Sequence, residues 1–323
     1  MSKVRSYLSL IKFSHTIFAM PFAMIGFFLS MKIEDGVEQW NLHKTVGWSG
    51  ETNKQYVDIN DWIAANNKST LIKLSILLLL VILCMIFARS AAMAFNRYLD
   101  RSFDAKNPRT SIREIPAGIL KANRVLWFVI VNCLLFIACC FFINRLCFYL
   151  SPVALLVVLG YSYTKRFTPL CHLILGLGLS LAPIGAYLAV TGKFALLPIL
   201  FSLTVLFWVS GFDIIYALQD EDFDRENKLY SIPAVLGKGK ALMVSRILHV
   251  LSAACVVLAG WYGHFGLWYW IGAILFIGLL VYQHALVKPN DLRKVNLAFF
   301  TTNGIASVVF ATFVIIDLFL NNN

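Results

Sequence analysis

Long apolar runs alternate with short polar segments along nearly the whole chain. A helix needs roughly 20 predominantly apolar residues to cross a bilayer, and runs of that length recur often enough to predict about nine membrane spans. The predicted spans lie near residues 9–31, 70–95, 122–143, 146–163, 171–191, 195–216, 240–261, 265–287 and 295–319. The pattern therefore predicts an all-α polytopic membrane protein, with residues 1–323 forming a single transmembrane domain.

Composition supports this class of protein and argues against a nucleic-acid partner. Hydrophobic residues make up 59% of the chain and charged residues 14%, which is less charge than a soluble domain carries. The net charge of +11 could indicate nucleic-acid binding, but the basic residues are distributed among short loops instead of forming one patch. That distribution is typical of membrane topology and of contact with anionic lipid.

Acidic residues close the second and the sixth apolar runs, where each helix leaves the membrane. The first set is Asp100 and Asp104 together with the neutral Asn96, and the second is Asp213, Asp220 and Asp224, with Tyr216 beside it. Each set recurs at helical spacing and shares one helix face, so each face presents carboxylates with little nearby to neutralise them. Such charge is costly unless a cation binds between the faces, and these oxygen ligands suit Mg²⁺. One stretch alone would indicate a solvated rim, whereas two indicate a functional site.

Lysine and arginine gather in alternate loops, which predicts the orientation of the chain. They precede the first span and follow the second, fourth, sixth and eighth. By the positive-inside rule, the N-terminus and both acidic stretches face the cytoplasm. We therefore expect an integral protein of the inner (cytoplasmic) membrane whose active-site loops face the cytoplasm. Residues 32–68 then form a polar extracytoplasmic insertion, to which the sequence assigns no chemistry.

At these residues the chain resembles the UbiA superfamily of intramembrane aromatic prenyltransferases, and within it the 4-hydroxybenzoate polyprenyltransferase-like branch. The resemblance covers nearly the whole chain outside residues 32–68. The family's first motif matches Asn96, Asp100 and Asp104, its second matches Asp213, Tyr216, Asp220 and Asp224, and its Tyr-x-x-x-Lys-Arg segment matches Tyr161, Lys165 and Arg166. Arg97 departs from the pattern, because many members carry an acidic residue there. The resemblance implies helices arranged around a central cavity.

The resemblance also implies a Mg²⁺-dependent transfer from an isoprenyl diphosphate to an aromatic ring. The residues implied to bind the metal are Asn96, Asp100, Asp104, Asp220 and Asp224. Those implied to be catalytic are Asp100, Asp104, Asp213, Asp220, Asp224 and Lys165. Those implied to bind substrate are Arg89, Asn96, Arg109, Arg113, Tyr161, Arg166 and Tyr216. In this mechanism the metal and the basic side chains stabilise the departing diphosphate, and the ring attacks the allylic cation.

Arg89 lies seven residues before Asn96, deeper in the same predicted helix. An arginine inside the membrane is expected to be functional. In the family, the arginine at this spacing is associated with the carboxylate of the aromatic acceptor, and a bidentate arginine–carboxylate contact fits that task. The alternative is that Arg89 pairs with one of the motif acids. His172 opens the fifth apolar run, and we expect it to pack against other helices or to lie at the membrane interface.

The preferred hypothesis is an aromatic prenyltransferase of quinone biosynthesis. Its acceptor is 4-hydroxybenzoate if it serves ubiquinone, or a dihydroxynaphthoate if it serves menaquinone, and the sequence leaves both open. A haem, chlorophyll or lipid prenyltransferase is an alternative that would not need Arg89. A cation transporter that uses the acids as a relay is a further alternative, but it would place them near mid-membrane. Prenyl chain length and oligomeric state stay open.

Overall fold

The computed structural model describes residues 3–10, 18–31 and 68–321, and it is built from α-helices. The helices are α1 (Lys3–Leu10), α2 (Met20–Leu29), α3 (Lys68–Asp104), α4 (Ala122–Ile143), α5 (Arg145–Thr164), α6 (Cys171–Thr191), α7 (Leu196–Ala217), α8 (Glu221–Glu226), α9 (Ile232–Tyr262), α10 (Leu267–Leu286) and α11 (Asn303–Leu320). Within the described residues, eight helical stretches are long and apolar enough to cross a membrane, and α2 is a shorter apolar helix. The predicted all-α membrane fold is confirmed.

Part of the predicted first span, residues 11–17, and residues 32–67 of the predicted insertion lie outside the described residues. Helix α3 is longer than its predicted span, because it continues to Asp104, well beyond residue 95. The predicted span ends where the side chains become polar, whereas the backbone of α3 stays helical beyond that point. Helix α9 starts at Ile232 but has a kink at Gly237 (φ 77°, ψ 162°), so the long helix after the kink starts close to the predicted residue 240.

Aromatic side chains fill the interface between α2, α7, α10 and α11. The ring of Trp208 in α7 lies 5.3 Å from that of Phe22 in α2 and 5.7 Å from that of Phe276 in α10, and Trp208 is fully buried. Its indole N–H donates to the side-chain oxygen of Asn303 at 2.9 Å, so the buried polar atom is satisfied. In a membrane, close packing and interhelical hydrogen bonds of this kind hold helices together.

Helices α6 and α7 are in close contact at Gly176. A Cβ added there would lie 2.3 Å from Ser210 Oγ and 2.5 Å from the Leu206 carbonyl oxygen. Ser210 Oγ in turn donates to the carbonyl oxygen of His172 at 3.1 Å. Small residues allow helix backbones to approach in this way. The contact places the first turn of α6 beside the last turns of α7, where the second acidic motif begins.

Replacing Gly176 with alanine should separate α6 from α7, because the new methyl group would overlap backbone atoms of Leu206. We expect Gly176→Ala to lower the free energy of unfolding by about 1–3 kcal/mol, as overpacked sites do. Gly178→Ala is the matched control, since a Cβ there would lie 3.8 Å from the nearest atom of Val158. Thermal unfolding in detergent measures both, and equal melting temperatures for the two variants would contradict the close-contact explanation.

Candidate active site

A polar cavity of about 250 Å³ lies at the end of the helix bundle that carries both acidic motifs. It is lined by residues from α3, α5, α6, α7 and α8 and from the loop of residues 105–121. The structure brings all thirteen sequence-predicted site residues to this one cavity. They are Arg89, Asn96, Asp100, Asp104, Arg109, Arg113, Tyr161, Lys165, Arg166, Asp213, Tyr216, Asp220 and Asp224.

The first motif occupies the last turns of α3, where the helical spacing holds. The Asn96 side-chain amide donates to Asp100 Oδ2 at 3.1 Å, one helical turn away. Arg166, which follows α5, reaches across to the other oxygen of Asp100 at 3.2 Å. Asp104 is buried, and its Oδ1 lies 2.5 Å from a guanidinium nitrogen of Arg113. The first motif is therefore tied both to its own loop and to α5.

The second motif does not form one continuous helix face, and that part of the sequence prediction is wrong. Helix α7 ends at Ala217, a single 3₁₀ turn covers Leu218–Asp220, and α8 starts at Glu221. The tighter turn changes the direction in which the later acids project. They still reach the same cavity as Asp213.

Arg109 links the two motifs across the cavity. Its Nε donates to Asp220 Oδ1 at 3.0 Å, and a second guanidinium nitrogen binds the other carboxylate oxygen. The remaining nitrogen donates to the Tyr216 hydroxyl at 2.9 Å. Burial alone would lower the pKa of Arg109, but the Asp220 carboxylate and Tyr216 outweigh it and raise that pKa. The loop of residues 105–121 is thereby fastened over the cavity.

Lys165 and Asp224 form an ion pair whose acidic partner is fully buried. Lys165 Nζ lies 2.7 Å from Asp224 Oδ1, and the Asp224 side chain is fully buried. Ser231 Oγ donates to Asp224 Oδ2 at 2.9 Å. Burial would lower the pKa of Lys165, but the nearby carboxylates, led by Asp224, outweigh it and raise that pKa. Lys165 therefore keeps its positive charge at neutral pH.

The expectation that little nearby would neutralise the carboxylates is wrong. Four of the five motif aspartates form ion pairs with lysine or arginine. The pairs are Asp100–Arg166, Asp104–Arg113, Asp220–Arg109 and Asp224–Lys165. The partners come from the loop after α3 and from the segment after α5, so the spacing within each motif cannot show them.

The residues of the first motif fit a divalent cation. Asp104 Oδ2 is buried and has no hydrogen-bond partner in the described structure, and such an oxygen is costly unless a cation approaches it. Carboxylate and amide oxygens are the ligands that Mg²⁺ takes. Among the described residues, however, no three His, Cys, Asp or Glu side chains already converge as a metal site. Ligation by Asp220 or Asp224 would require its basic partner to move.

Arg89, Tyr161, His172 and Asp213 form the deep end of the cavity. Arg89 belongs to none of the ion pairs found in the described part of the chain, and its buried Nε has no hydrogen-bond partner there. It does experience the charge of Asp213 and the Tyr161 hydroxyl at longer range. The alternative that Arg89 pairs directly with a motif acid is therefore not what the structure shows.

His172 is a residue of this cavity that the sequence did not single out. We expected it to pack or to lie at the interface, but its Nδ1 lies 2.6 Å from Asp213 Oδ2. It follows the Tyr-x-x-x-Lys-Arg segment by six residues and opens the next helix. Proximity to that segment was the one signal in the sequence that could have placed it near the motifs.

An apolar cavity of about 330 Å³ adjoins the polar one. It lies among α3, α4, α5 and α6 and is lined almost entirely by aliphatic, aromatic and cysteine side chains. Arg89, Tyr161 and Leu175 line both cavities. The arrangement can therefore accommodate a molecule with a charged head in the polar cavity and an apolar tail in the other.

Comparisons with known proteins identify relatives along most of the chain. The sequence profile of the UbiA prenyltransferase family matches residues 62–305. The 4-hydroxybenzoate octaprenyltransferase of Tolumonas auensis is 31% identical over 235 residues, which cover 72% of this chain and 82% of that protein.

Solved structures of similar fold cover nearly the whole chain. The apo structure of a UbiA homolog from Aeropyrum pernix has a TM-score of 0.74 and 25% sequence identity, covering 94% of this chain and 98% of that one. A UbiA homolog from Archaeoglobus fulgidus, bound to DMAPP and Mg²⁺, has a TM-score of 0.65 and 17% identity, covering 98% of this chain and 99% of that one.

Removing the Arg109 side chain should release the loop of residues 105–121. In Arg109→Gln, we expect backbone amides of that loop to exchange with deuterium at least severalfold faster, because the contacts to Asp220 and Tyr216 are lost. Lys106→Gln is the matched control, since Lys106 lies in the same loop, is exposed and forms no described ion pair. Hydrogen–deuterium exchange with mass spectrometry measures this. Unchanged exchange in Arg109→Gln would show that other contacts hold the loop.

Proposed function

The chain belongs to the UbiA prenyltransferase family, and we propose that it transfers a polyprenyl group from an isoprenyl diphosphate to an aromatic carboxylic acid. The protein is an integral membrane prenyltransferase. One observation carries the proposal, which is that a charged cavity and an apolar cavity meet at Arg89 and Tyr161. An amphiphilic donor needs both, because its diphosphate must be bound by charge while its tail stays in an apolar environment.

The polar cavity provides the groups that a diphosphate requires. Arg109, Arg113, Lys165 and Arg166 now pair with carboxylates. We propose that they turn to the phosphate oxygens of the donor when it binds, since arginine binds phosphate in a bidentate way. The exchange would free the aspartates for a metal ion. The loop of residues 105–121, held by Arg109, would then cover the diphosphate.

Mg²⁺ fits the freed oxygen ligands, and a similar protein from A. fulgidus binds DMAPP and Mg²⁺. The residues proposed to hold the metal are Asn96, Asp100, Asp104, Asp220 and Asp224. Bound Mg²⁺ would supply positive charge that stabilises the departing diphosphate. Lys165 and Arg166 add fixed positive charge on the same side of the cavity, where charge develops as the bond to the prenyl carbon breaks.

The acceptor is proposed to bind at the deep end of the polar cavity. Arg89 is free to receive a carboxylate there, and Tyr161 supplies an aromatic wall and a hydroxyl group. Tyr216 supplies a further aromatic wall beside Arg109. The prenyl carbon, held at the junction of the two cavities, would meet the electron-rich ring. The carbon–oxygen bond of the donor would break to leave an allylic cation and diphosphate, the ring would attack the cation to form the new carbon–carbon bond, and the ring would then lose a proton. The apolar cavity keeps water from reacting with the allylic cation.

The free state of Arg89 favours an acceptor that carries a carboxylate over haem, chlorophyll or lipid acceptors. Relatives named 4-hydroxybenzoate octaprenyltransferase make 4-hydroxybenzoate, and hence ubiquinone biosynthesis, our preferred assignment. A dihydroxynaphthoate of the menaquinone side also has a carboxylate and a hydroxyl-bearing ring, so it belongs in the same test. Transport of cations is disfavoured, because the motif acids are paired at helix ends and do not form a relay through the membrane.

We propose that the enzyme lies in the inner membrane with its motif loops facing the cytoplasm and residues 32–68 on the opposite side. The basic residues of the loops at the motif end support this orientation through the positive-inside rule. A water-soluble aromatic acid would then reach the polar cavity from the cytoplasm. The prenyl donor would reach the apolar cavity from the bilayer.

The assay that tests this function uses purified protein in detergent, Mg²⁺ and a radiolabelled polyprenyl diphosphate. Separate reactions contain 4-hydroxybenzoate, 1,4-dihydroxy-6-naphthoate, or an aromatic compound without a carboxylate, with EDTA-treated reactions as controls. We expect lipid-soluble label to appear on 4-hydroxybenzoate only when Mg²⁺ is present. Label on the naphthoate alone would show that dihydroxynaphthoate is the acceptor instead of 4-hydroxybenzoate, and the proposed prenyl transfer would still hold. Transfer to the compound without a carboxylate, at the same rate, would refute the acceptor class.

Either motif should be indispensable for this reaction. We expect Asp100→Ala and Asp220→Ala each to lower kcat/KM by at least roughly 1,000-fold, because each removes a charge that acts on the transition state in a cavity of low dielectric. Asp222→Ala is the matched control, since Asp222 lies between two motif acids but is exposed and does not line the cavity. Full transfer by either motif variant would contradict the two-motif mechanism.

Arg89→Gln should affect the acceptor alone. A hydrogen bond to a charged group contributes about 1.5–3 kcal/mol, so we expect the KM for the aromatic acid to rise roughly 10- to 100-fold. The KM for the prenyl diphosphate should stay within about threefold, because Arg89 lies at the deep end, away from the diphosphate groups. Arg246→Gln, which removes an exposed arginine of α9, is the control. Equal losses for donor and acceptor would place Arg89 in donor binding instead.

A further inference from the structure

His172 and Asp213 form a contact that none of the roles described so far uses. His172 is 3% exposed, and its Nδ1 lies 2.6 Å from Asp213 Oδ2. In the described part of the chain, the Asp213 carboxylate makes no other hydrogen bond. The Asp213 side chain keeps 22% of its surface exposed and lines the polar cavity. His172 thus binds one oxygen of the Asp213 carboxylate, while the rest of the carboxylate stays exposed to the cavity.

Three elements fix the orientation of the His172 ring. The close approach of α6 and α7 brings the residue to α7, and Ser210 Oγ donates to its carbonyl oxygen. On the other side of the ring, the backbone N–H of Ile232, at the start of α9, donates to Nε2 at 3.4 Å. Because Nε2 accepts this hydrogen bond, the ring proton lies on Nδ1 and is donated to Asp213. The ring can neither rotate nor reverse without losing one of these contacts.

Asp213 differs from the other four motif aspartates in its partner. Each of those pairs with the lysine or arginine that we assign to the diphosphate, whereas Asp213 pairs with an imidazole. It also lies at the deep end, within electrostatic reach of Arg89 and Tyr161. Diphosphate binding would therefore rearrange the partners of four carboxylates and leave Asp213 where it is.

We infer that His172 is a positioning residue, which holds the Asp213 carboxylate as the hydrogen-bond acceptor for the hydroxyl group of the aromatic acid. The inference rests on the proposed function and names a second recognition point in the same site. Arg89 would bind the carboxylate of the acceptor, and Asp213 would bind its hydroxyl group. A ring held at both ends has one orientation toward the prenyl carbon. A hydroxyl group that donates to a carboxylate also enriches the ring in electrons.

This geometry selects acceptors that carry both a carboxylate and a hydroxyl group on one ring system. An aromatic acid without the hydroxyl would leave the Asp213 carboxylate without its partner, and sites built to bind a hydroxyl group discriminate strongly against analogues that lack it. Benzoate should accordingly neither accept a prenyl group nor compete well with 4-hydroxybenzoate.

The test compares His172→Asn with His172→Phe. The asparagine amide can place an N–H near the position of Nδ1, whereas phenylalanine keeps the ring volume and lacks a donor. His249→Asn is the matched control, because His249 is equally buried and contacts the Trp208 carbonyl oxygen of the same helix α7, but it does not line the cavity. The measurements are steady-state kinetics for each substrate, Mg²⁺-dependent binding of the prenyl diphosphate, and melting temperature.

We expect His172→Phe to lower kcat/KM for 4-hydroxybenzoate roughly 10- to 100-fold, the usual effect of losing a hydrogen bond to a charged group. Binding of the prenyl diphosphate should stay within about threefold of the wild type, since its ligands are untouched. His172→Asn should keep most of the wild-type activity. His249→Asn should change the melting temperature without changing kcat/KM for 4-hydroxybenzoate. Equal impairment of the Asn and Phe variants, or an equal loss of donor binding, would overturn the inference.

A wild-type enzyme that transfers no prenyl group to any aromatic acid would refute the proposed function and, with it, the hydroxyl-binding role. The positioning contact is tested separately by a double-mutant cycle of His172→Phe and Asp213→Ala on melting temperature. Non-additive effects would support the contact, because the second substitution has nothing left to remove. Additive effects would refute it, whatever the outcome of the transfer assay.

Discussion

The structure depends on placing five carboxylates around one cavity at the edge of a membrane. Charges that leave water without a partner cost several kcal/mol each, so this arrangement exists only because basic side chains accompany four of the acids. Those partners are brought from other parts of the chain. Arg109 and Arg113 come from the loop after α3, and Lys165 and Arg166 come from the segment after α5. The ion pairs therefore join the two motifs into one site and also prepare the groups that a diphosphate would need.

The same bundle separates charge from apolar surface at a single boundary. Arg89 and Tyr161 lie where the polar cavity meets the apolar one, and close contacts such as Gly176 against α7 keep the helices near enough to hold that boundary. A prenyl diphosphate has its reactive carbon at the corresponding boundary, between diphosphate and hydrocarbon. In the proposed mechanism this boundary is where the reaction occurs, and the deep-end residues select the acceptor that reaches the reactive carbon. Donor chemistry and acceptor choice would then depend on different side chains.

The sequence predicted the parts of the site that repeat along one helix and missed those that depend on contacts between distant segments. The span lengths gave the membrane helices, and the four-residue spacing of Asn96, Asp100 and Asp104 holds in α3. The 3₁₀ turn at Leu218–Asp220 interrupts the second motif, which no helical spacing reveals. The ion-pair partners lie more than a hundred residues apart for Arg109 and Asp220, so hydropathy and spacing carry no trace of them. His172 was missed for the same reason, because its contact with Asp213 depends on the approach of α6 to α7.

The central claim is that the basic side chains form ion pairs with the aspartates in the free enzyme. When the donor binds, these side chains bind its phosphate oxygens instead, and the aspartates become available to the metal ion. The direct measurement is the affinity for Mg²⁺ by isothermal titration calorimetry, without a donor and with a non-reactive thiolo analogue of the prenyl diphosphate. The account predicts weak Mg²⁺ binding to the free enzyme, since the carboxylates are already paired, and at least roughly tenfold tighter binding with the analogue, a coupling of about 1.4 kcal/mol. Equal Mg²⁺ affinity in both titrations would contradict it.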